Sequence, residues 1–301
     1  MKKCIIFPGV LLFVAIGIIP FLHSQPSPTN TEFTNPQPVT IQGYNGSAEE
    51  PYITPDGQYL LFGNRTDTEK NPNIYYAKKV TDATFTFMGE VKGVNTPQHD
   101  AAANMDDSGN FYFTSTRSYG PKGDLNTTYR GVWNNGTVTG VAAVLGTSDQ
   151  KFGMVDMDAQ ISPDGNTLYI SAADMTRGHP PRSSIIKIAV KNPDGSFTKL
   201  KNSAELLKNV NVGNLIYAPL ISRDGLELFF NLTNLATKSM LIYVAKRNSV
   251  SEPFGVPQLI EAADGLVESA FLTRDENHLY YHRVNKATSK SFEIYMLTRQ
   301  K

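Results

Sequence analysis

Four acids, Glu50, Asp100, Asp158 and Glu268, recur at one place in a repeated pattern. Each opens an alternating run, and each is followed by a turn and a second run that closes on polar residues, Arg65, Arg117, Asp174, and His282 with Arg283, while the copy that opens on Tyr217 closes on Asn231. Two carboxylates facing one bond could cleave a glycoside, one protonating the leaving group while the other attacks or activates water. Other chemistries fail on residue types. Zinc needs clustered His and carboxylate ligands, and His99 beside Asp100 or His282 beside Arg283 is too sparse. An oxygen-lined calcium site from Asp and Asn has no specific support. No Gly-x-Ser-x-Gly elbow occurs, and the single cysteine, Cys4, lies ahead of the mature chain.

Recurrence also has a structural meaning. Residues repeated in every copy usually serve the repeat, each acid accepting hydrogen bonds from a neighbour or clipping to an arginine of the next copy. Departures from the pattern are the better functional candidates: Tyr217 where the other copies open on an acid, His282, Asp174, and Asp156 within "GMVDMDAQ".

The element that positions these groups is the hairpin "DAQISPDGNTLYIS", Asp158 to Ser171. It returns as "EPYITPDGQYLLFGNR", "DAAANMDDSGNFYFTSTR", "APLISRDGLELFFNLT" and "SAFLTRDENHLYYHR". The turn acids Asp56, Asp107, Asp164, Asp224 and Asp275 are spaced by 51, 57, 60 and 51 residues. A strand-and-turn period of that size marks a propeller. Third-strand runs such as "NIYYAKKV" and "MLIYVAKR" follow each hairpin, and fourth-strand runs such as "FTFMGEVKG" separate the copies. The last copy lacks a fourth strand, and the segment around Val39 to Ile41 is expected to supply it by pairing with Ile294 to Leu297. The fold expected is therefore all-β, a five-bladed β-propeller closed by an N-terminal strand. "MDDSGN" is expected to carry an extra turn residue, and "TRDENH" replaces the turn glycine by Glu276.

The stamp D-x-x-x-S-P-D-G-x-x-L-Y-x-S at Asp158 to Ser171 resembles the TolB-type, WD-like β-propeller repeat family. "RSYGPKGDLNTTYR" at Arg117 to Arg130 is similar to that family's arginine, glycine-rich loop and third strand. The resemblance covers nearly all of the mature chain. It implies periplasmic binding or assembly proteins, modules appended to cell-wall binders, or peptidase lids, and fold analogy does not choose among them.

Lys2, Lys3 and the apolar stretch from Ile5 to Leu22 read as a signal peptide over residues 1–24, with a retained anchor as the alternative. Residues 25–35 read as a flexible leader and 36–301 as one propeller domain. The mature chain has no cysteine, so a periplasmic, cell-surface or secreted protein here holds itself by its core alone. Balanced charge, 28 basic against 28 acidic residues, argues against nucleic acid and anionic membranes as partners.

The function read from the sequence is a monomeric, non-catalytic binding or scaffold propeller without cofactor. It would engage a cell-envelope protein, peptide or glycan through one face, with no membrane insertion once the signal is cleaved. That face would carry Glu50, Arg65, Asp100, Arg117, Asp156, Asp158, Asp174, Tyr217, Glu268, His282 and Arg283. The alternative is a glycan-cleaving hydrolase using two of Asp100, Asp158 and Glu268.

Overall fold

The computed structural model describes residues 28–64, 72–178, 180–213, 215–234, 237, 239–285 and 291–300. The proposed signal segment and Arg65 lie outside them. An N-terminal segment holds β1 (Thr29–Asn30), β2 (Phe33–Pro38) and β3 (Thr40–Gln42). The first unit is β4 (Glu49–Ile53), β5 (Tyr59–Gly63), β6 (Ile74–Thr81) and β7 (Thr84–Glu90). The second is β8 (Asp100–Met105), β9 (Asn110–Ser115), β10 (Thr128–Asn134) and β11 (Thr137–Ala143). The third is β12 (Met154–Ile161), β13 (Thr167–Asp174), β14 (Ser183–Lys191) and β15 (Phe197–Lys199), after which comes one short helix, α1 (Ser203–Leu206). The fourth is β16 (Leu215–Ile221), β17 (Glu227–Asn234), β18 (Ser239–Lys246) and β19 (Gln258–Ile260). The fifth has three strands of its own, β20 (Val267–Leu272), β21 (His278–Val284) and β22 (Phe292–Arg299).

Within each unit successive strands pair antiparallel, and a single parallel bridge, Ser184 to Leu215, joins the third and fourth units into one sheet. The first strands touch in the order β4, β8, β12, β16, β20, and β20 also touches β4. Second strands read as continuous apolar runs, Leu60-Leu61-Phe62 and Phe111-Tyr112-Phe113, because a neighbouring unit covers each face; every one of these side chains is at most 1% exposed. Trp133, at the end of β10, fills the seam between the first two units, its ring 5.9 Å from Phe111, 5.9 Å from Tyr59 and 5.8 Å from Tyr76.

The segment expected as a flexible leader is built into the sheets. Thr29 and Asn30 run parallel to Leu259 and Ile260 of the fourth unit, and β2 pairs antiparallel with β22 of the fifth. β3 then runs parallel to β7 of the first. Phe33, 1% exposed, ties this strap down by its edge contact with Phe229 at 5.8 Å, with the Arg299 guanidinium 5.1 Å from its ring centre. The contact expected of Val39 to Ile41 is shifted accordingly. Val39 bonds Ile294 through one N–H at 2.9 Å, whereas Ile41 pairs with Phe85.

The second unit's turn also differs from expectation. Asp106 receives the N–H groups of Ser108 and Asn110, so Asp106 and not Asp107 is the turn acid. The loop is one residue shorter than in the other units: Asp106 N–H reaches the Asn110 carbonyl four residues on, whereas Thr54 N–H reaches Tyr59, five on. Glu276 takes the glycine place with φ 58°, a left-handed conformation that costs a residue with Cβ some strain.

Candidate functional site

Every first strand carries a register shift near its start, between Glu49 and Tyr52, Ala101 and Asn104, Asp156 and Asp158, Tyr217 and Leu220, and Glu268 and Phe271. In four units the bulged residue is left-handed: Glu50, Ala102, Ala218 and Ser269, with φ between 48° and 54°. A bulge takes its N–H out of the ladder and leaves it to find another acceptor. Here the acceptor is a side chain of the adjoining unit. Ala102 donates to Glu50 Oε2 (2.7 Å), Ala218 to Asp158 Oδ2 (3.2 Å), Ser269 to Asn231 Oδ1 (2.8 Å) and Glu50 to His282 Nδ1 (3.0 Å). The remaining junction, second unit to third, uses Asn104, whose amide bonds the Ala159 carbonyl (2.9 Å) and the Ile161 N–H (3.0 Å).

Two of the recurring acids, Glu50 and Asp158, thus act as unit-to-unit clips, through backbone N–H groups. The arginine partnership expected between units is found inside one. Asp100, fully buried, receives Arg117 Nη2 at 2.9 Å from the end of its own hairpin and two bonds from Thr96, at 2.6 and 2.7 Å. Arg117 also donates to the Val94 carbonyl (2.5 Å) and Ser115 Oγ (2.8 Å), and lies about 5 Å from the rings of Phe113 and Tyr129. Neither residue faces the channel.

A narrow mouth at the strand-opening end is lined by Glu50, Ala102, Asp158, Ala218, Ser269 and Phe271, among others. Only Glu50 and Asp158 of the expected residues reach it. Just behind lies a buried polar chain. His282 is 1% exposed, and since its Nδ1 accepts from Glu50, the ring proton sits on Nε2, 3.3 Å from Glu268 Oε2. Tyr217 donates to Glu268 Oε1 and lies 2.9 Å from Thr233 Oγ1; burial, then the Glu268 charge, pushes its hydroxyl well above the ordinary tyrosine range. Asp156 is 6% exposed, and burial raises its carboxyl above the usual aspartate range, with Oδ2 unmatched by any donor. Asp174 closes an exposed turn, held low by the Thr176 hydroxyl and N–H. Arg283 lies over Tyr295, 3.6 Å from the ring centre, and 3.5 Å from Asp264. Among the described residues no group of three His, Cys, Asp or Glu is arranged to hold a metal ion.

No family model matches the chain, and no curated protein matches it in sequence. Solved structures do. The catalytic domain of the Coprinopsis cinerea GH62 α-L-arabinofuranosidase superposes with a TM-score of 0.58 at 12% identity, over 90% of this chain and 98% of that one. A family 117 glycoside hydrolase from the marine bacterium Zobellia galactanivorans gives 0.58 at 12%, over 88% and 90%. TolB from Acinetobacter baumannii gives 0.46 at 16%, over 85% of this chain and 55% of that one. The fold is a β-propeller. At such identities the likeness says nothing of activity.

The sequence reading missed the propeller's larger concavity, which lies at the turn end. It is a bowl of ≈ 1070 Å³ with a floor that includes Ile53, Met105, Ile161 and Leu220. Its rim is set by the residue that follows Thr54, Asp106, Ser162, Ser222 and Thr273 in each turn: Pro55, Asp107, Pro163, Arg223 and Arg274. Arg223 and Arg274 both reach across to Asp107, at 2.7 and 3.4 Å. The signal was present in the sequence, since "SRDG" and "TRDE" carry Arg where "TPDG" and "SPDG" carry Pro.

Proposed function

We propose that this chain is an exported, non-catalytic binding or scaffold propeller of five blades, its ring closed by β2 on β22. It would engage a cell-envelope protein, peptide or glycan through the strand-opening face. The observation that carries this reading is the state of the candidate acids. Asp100 is held by Arg117 and Thr96, Glu50 and Asp158 each give one oxygen to a bulge N–H of the next unit, and Glu268 is held by Tyr217 and His282. A glycosidase acid must exchange protons with substrate or water. Each of these acids is instead tied to the ring through at least one oxygen.

The same face supports recognition. Phe152, Val212 and Leu266, in the segments leading into β12, β16 and β20, are 54%, 64% and 40% exposed. Phe152 stacks on Tyr119 with ring centres 5.6 Å apart. Apolar side chains spread round a polar mouth are what a protein or sugar face packs against. Export rests on Lys2, Lys3 and the apolar run that follows.

The test is a binding and turnover screen against purified peptidoglycan, envelope polysaccharides and arabinan. The proteins compared are wild type, Phe152→Ser with Val212→Ser, and Asp158→Asn with Glu268→Gln. Binding lost in the apolar pair, with no reducing ends released by any form, supports the binder. Release of sugar by wild type that disappears in the carboxylate pair would establish the hydrolase instead.

A further inference from the structure

The guanidinium of Arg247, just past β18, is 9% exposed and has no carboxylate partner among the described residues. Its Nε donates to the Gly225 carbonyl (2.9 Å), Nη2 to the Tyr169 hydroxyl (3.3 Å), and the Phe254 ring centre lies 4.2 Å from its central carbon. Nη1 is buried and donates to nothing. Tyr169 accepts from Arg247 and keeps its own O–H proton to donate, with no acceptor for it among the described residues. A buried cation with neither counter-ion nor full hydrogen bonding is costly, because guanidinium leaves water only when its charge is matched.

Arg247 and Tyr169 both line an open cleft of ≈ 840 Å³ between the third and fourth units, on the turn side and away from the face proposed above, with Nη1 itself closed off from its surface. Its walls are mostly apolar, including Ile188, Val190, Leu200, Leu206 and Val250. Two acids also border it, but each is occupied by its own turn. Asp164 receives Ser162 Oγ and both nitrogens of Asn166, while Asp224 receives Ser222 Oγ and the Leu226 N–H. The cleft therefore brings a guanidinium that has no ion-pair partner among the described residues up to apolar walls.

The geometry points to a ligand site here for a monocarboxylate carried on an apolar body. The carboxylate pairs with the Arg247 guanidinium, whose Nη1 turns out into the cleft to meet it, and accepts from the Tyr169 hydroxyl, and the apolar body lies along Leu200, Leu206 and Val190. Two donors directed at one anion favour the planar carboxylate, and the apolar walls discriminate against an inorganic anion.

Titration calorimetry on the full mature chain tests this with sodium octanoate and N-acetyl-leucine, using octanol and inorganic phosphate as controls. Octanoate, N-acetyl-leucine or both should bind and raise the melting temperature, while octanol should not. Octanoate alone would assign an acyl-chain source, and N-acetyl-leucine alone a peptide-type source. Arg247→Met should weaken binding by at least about tenfold, the loss expected for a charge-assisted contact. Tyr169→Phe, which keeps the cleft intact, should weaken it several-fold and serves if Arg247→Met does not fold. The inference is overturned if neither carboxylate binds wild type, if Tyr169→Phe and Arg247→Met bind as wild type does, or if phosphate binds as tightly as the carboxylates.

Discussion

Replacing Arg117 by methionine separates a structural Asp100 from a functional one. The carboxylate of Asp100 is completely buried, and Arg117 Nη2 supplies its only positive partner among the described residues, at 2.9 Å. Removing one member of a buried ion pair costs about 3–5 kcal/mol, because the other charge stays desolvated. Two details of this site pull the figure toward the lower end: the Arg117 side chain is 21% exposed, and Asp100 keeps its two Thr96 bonds at 2.6 and 2.7 Å. About 3 kcal/mol is therefore expected for Arg117→Met. Asp100→Asn removes the charge that needs matching and should cost less, about 1–2 kcal/mol, because the amide still accepts from Thr96 through its oxygen. In the double variant no charge is stranded, so the two losses should fall short of additive by at least about 1 kcal/mol. Urea unfolding of the four forms at neutral pH, followed by fluorescence of Trp133, reads the cycle. A cost below about 1 kcal/mol for Arg117→Met, or strict additivity, would refute the reasoning. So would an Asp100→Asn protein that keeps wild-type stability but loses ligand binding.

Phe33→Ala should cost about 3–5 kcal/mol by denaturant unfolding, since the 1%-exposed ring anchors the strap that joins the fourth, fifth and first units. Glu32 sets an acid limit on the same strap. Burial raises its carboxyl, but Lys246 and Arg299 outweigh that and hold it below the usual glutamate range. Its folded value thus lies under its unfolded one, so its contribution is present above the unfolded value and is lost as pH falls through the folded one. Melting temperature should drop with acid below about pH 4, and less steeply in Glu32→Gln. Asp156 behaves oppositely: its value is raised by burial, so the stability it permits is full below its unfolded value and lost as pH rises through the folded one. Asp156→Asn should therefore melt higher than wild type at neutral pH, with the gain vanishing in acid, as calorimetry across pH will show. Glu276→Gly should relieve its left-handed backbone and leave stability unchanged or up by about 0.5–1 kcal/mol in denaturant unfolding.

The sequence alone determined the hairpins and their number, because Asp-Gly turns and flanking apolar runs are local signals that each copy repeats. It did not determine which unit each polar side chain would serve. Asp100 and Glu50 open their runs alike, yet one is sealed beneath Arg117 of its own hairpin and the other reaches the bulged Ala102 of the next. That choice depends on bulges placed by non-local pairing, which leave no local signature. The strap was likewise unreadable, since "TNTEFTNPQP" has the composition of a linker and becomes ordered only because the edges of β19, β22 and β7 need partners. Arg247 is the sharpest case. In sequence it is one more charge after a strand, and only the packing of Phe254, Gly225 and Tyr169 around it makes it a buried cation with no anion bonded to it among the described residues.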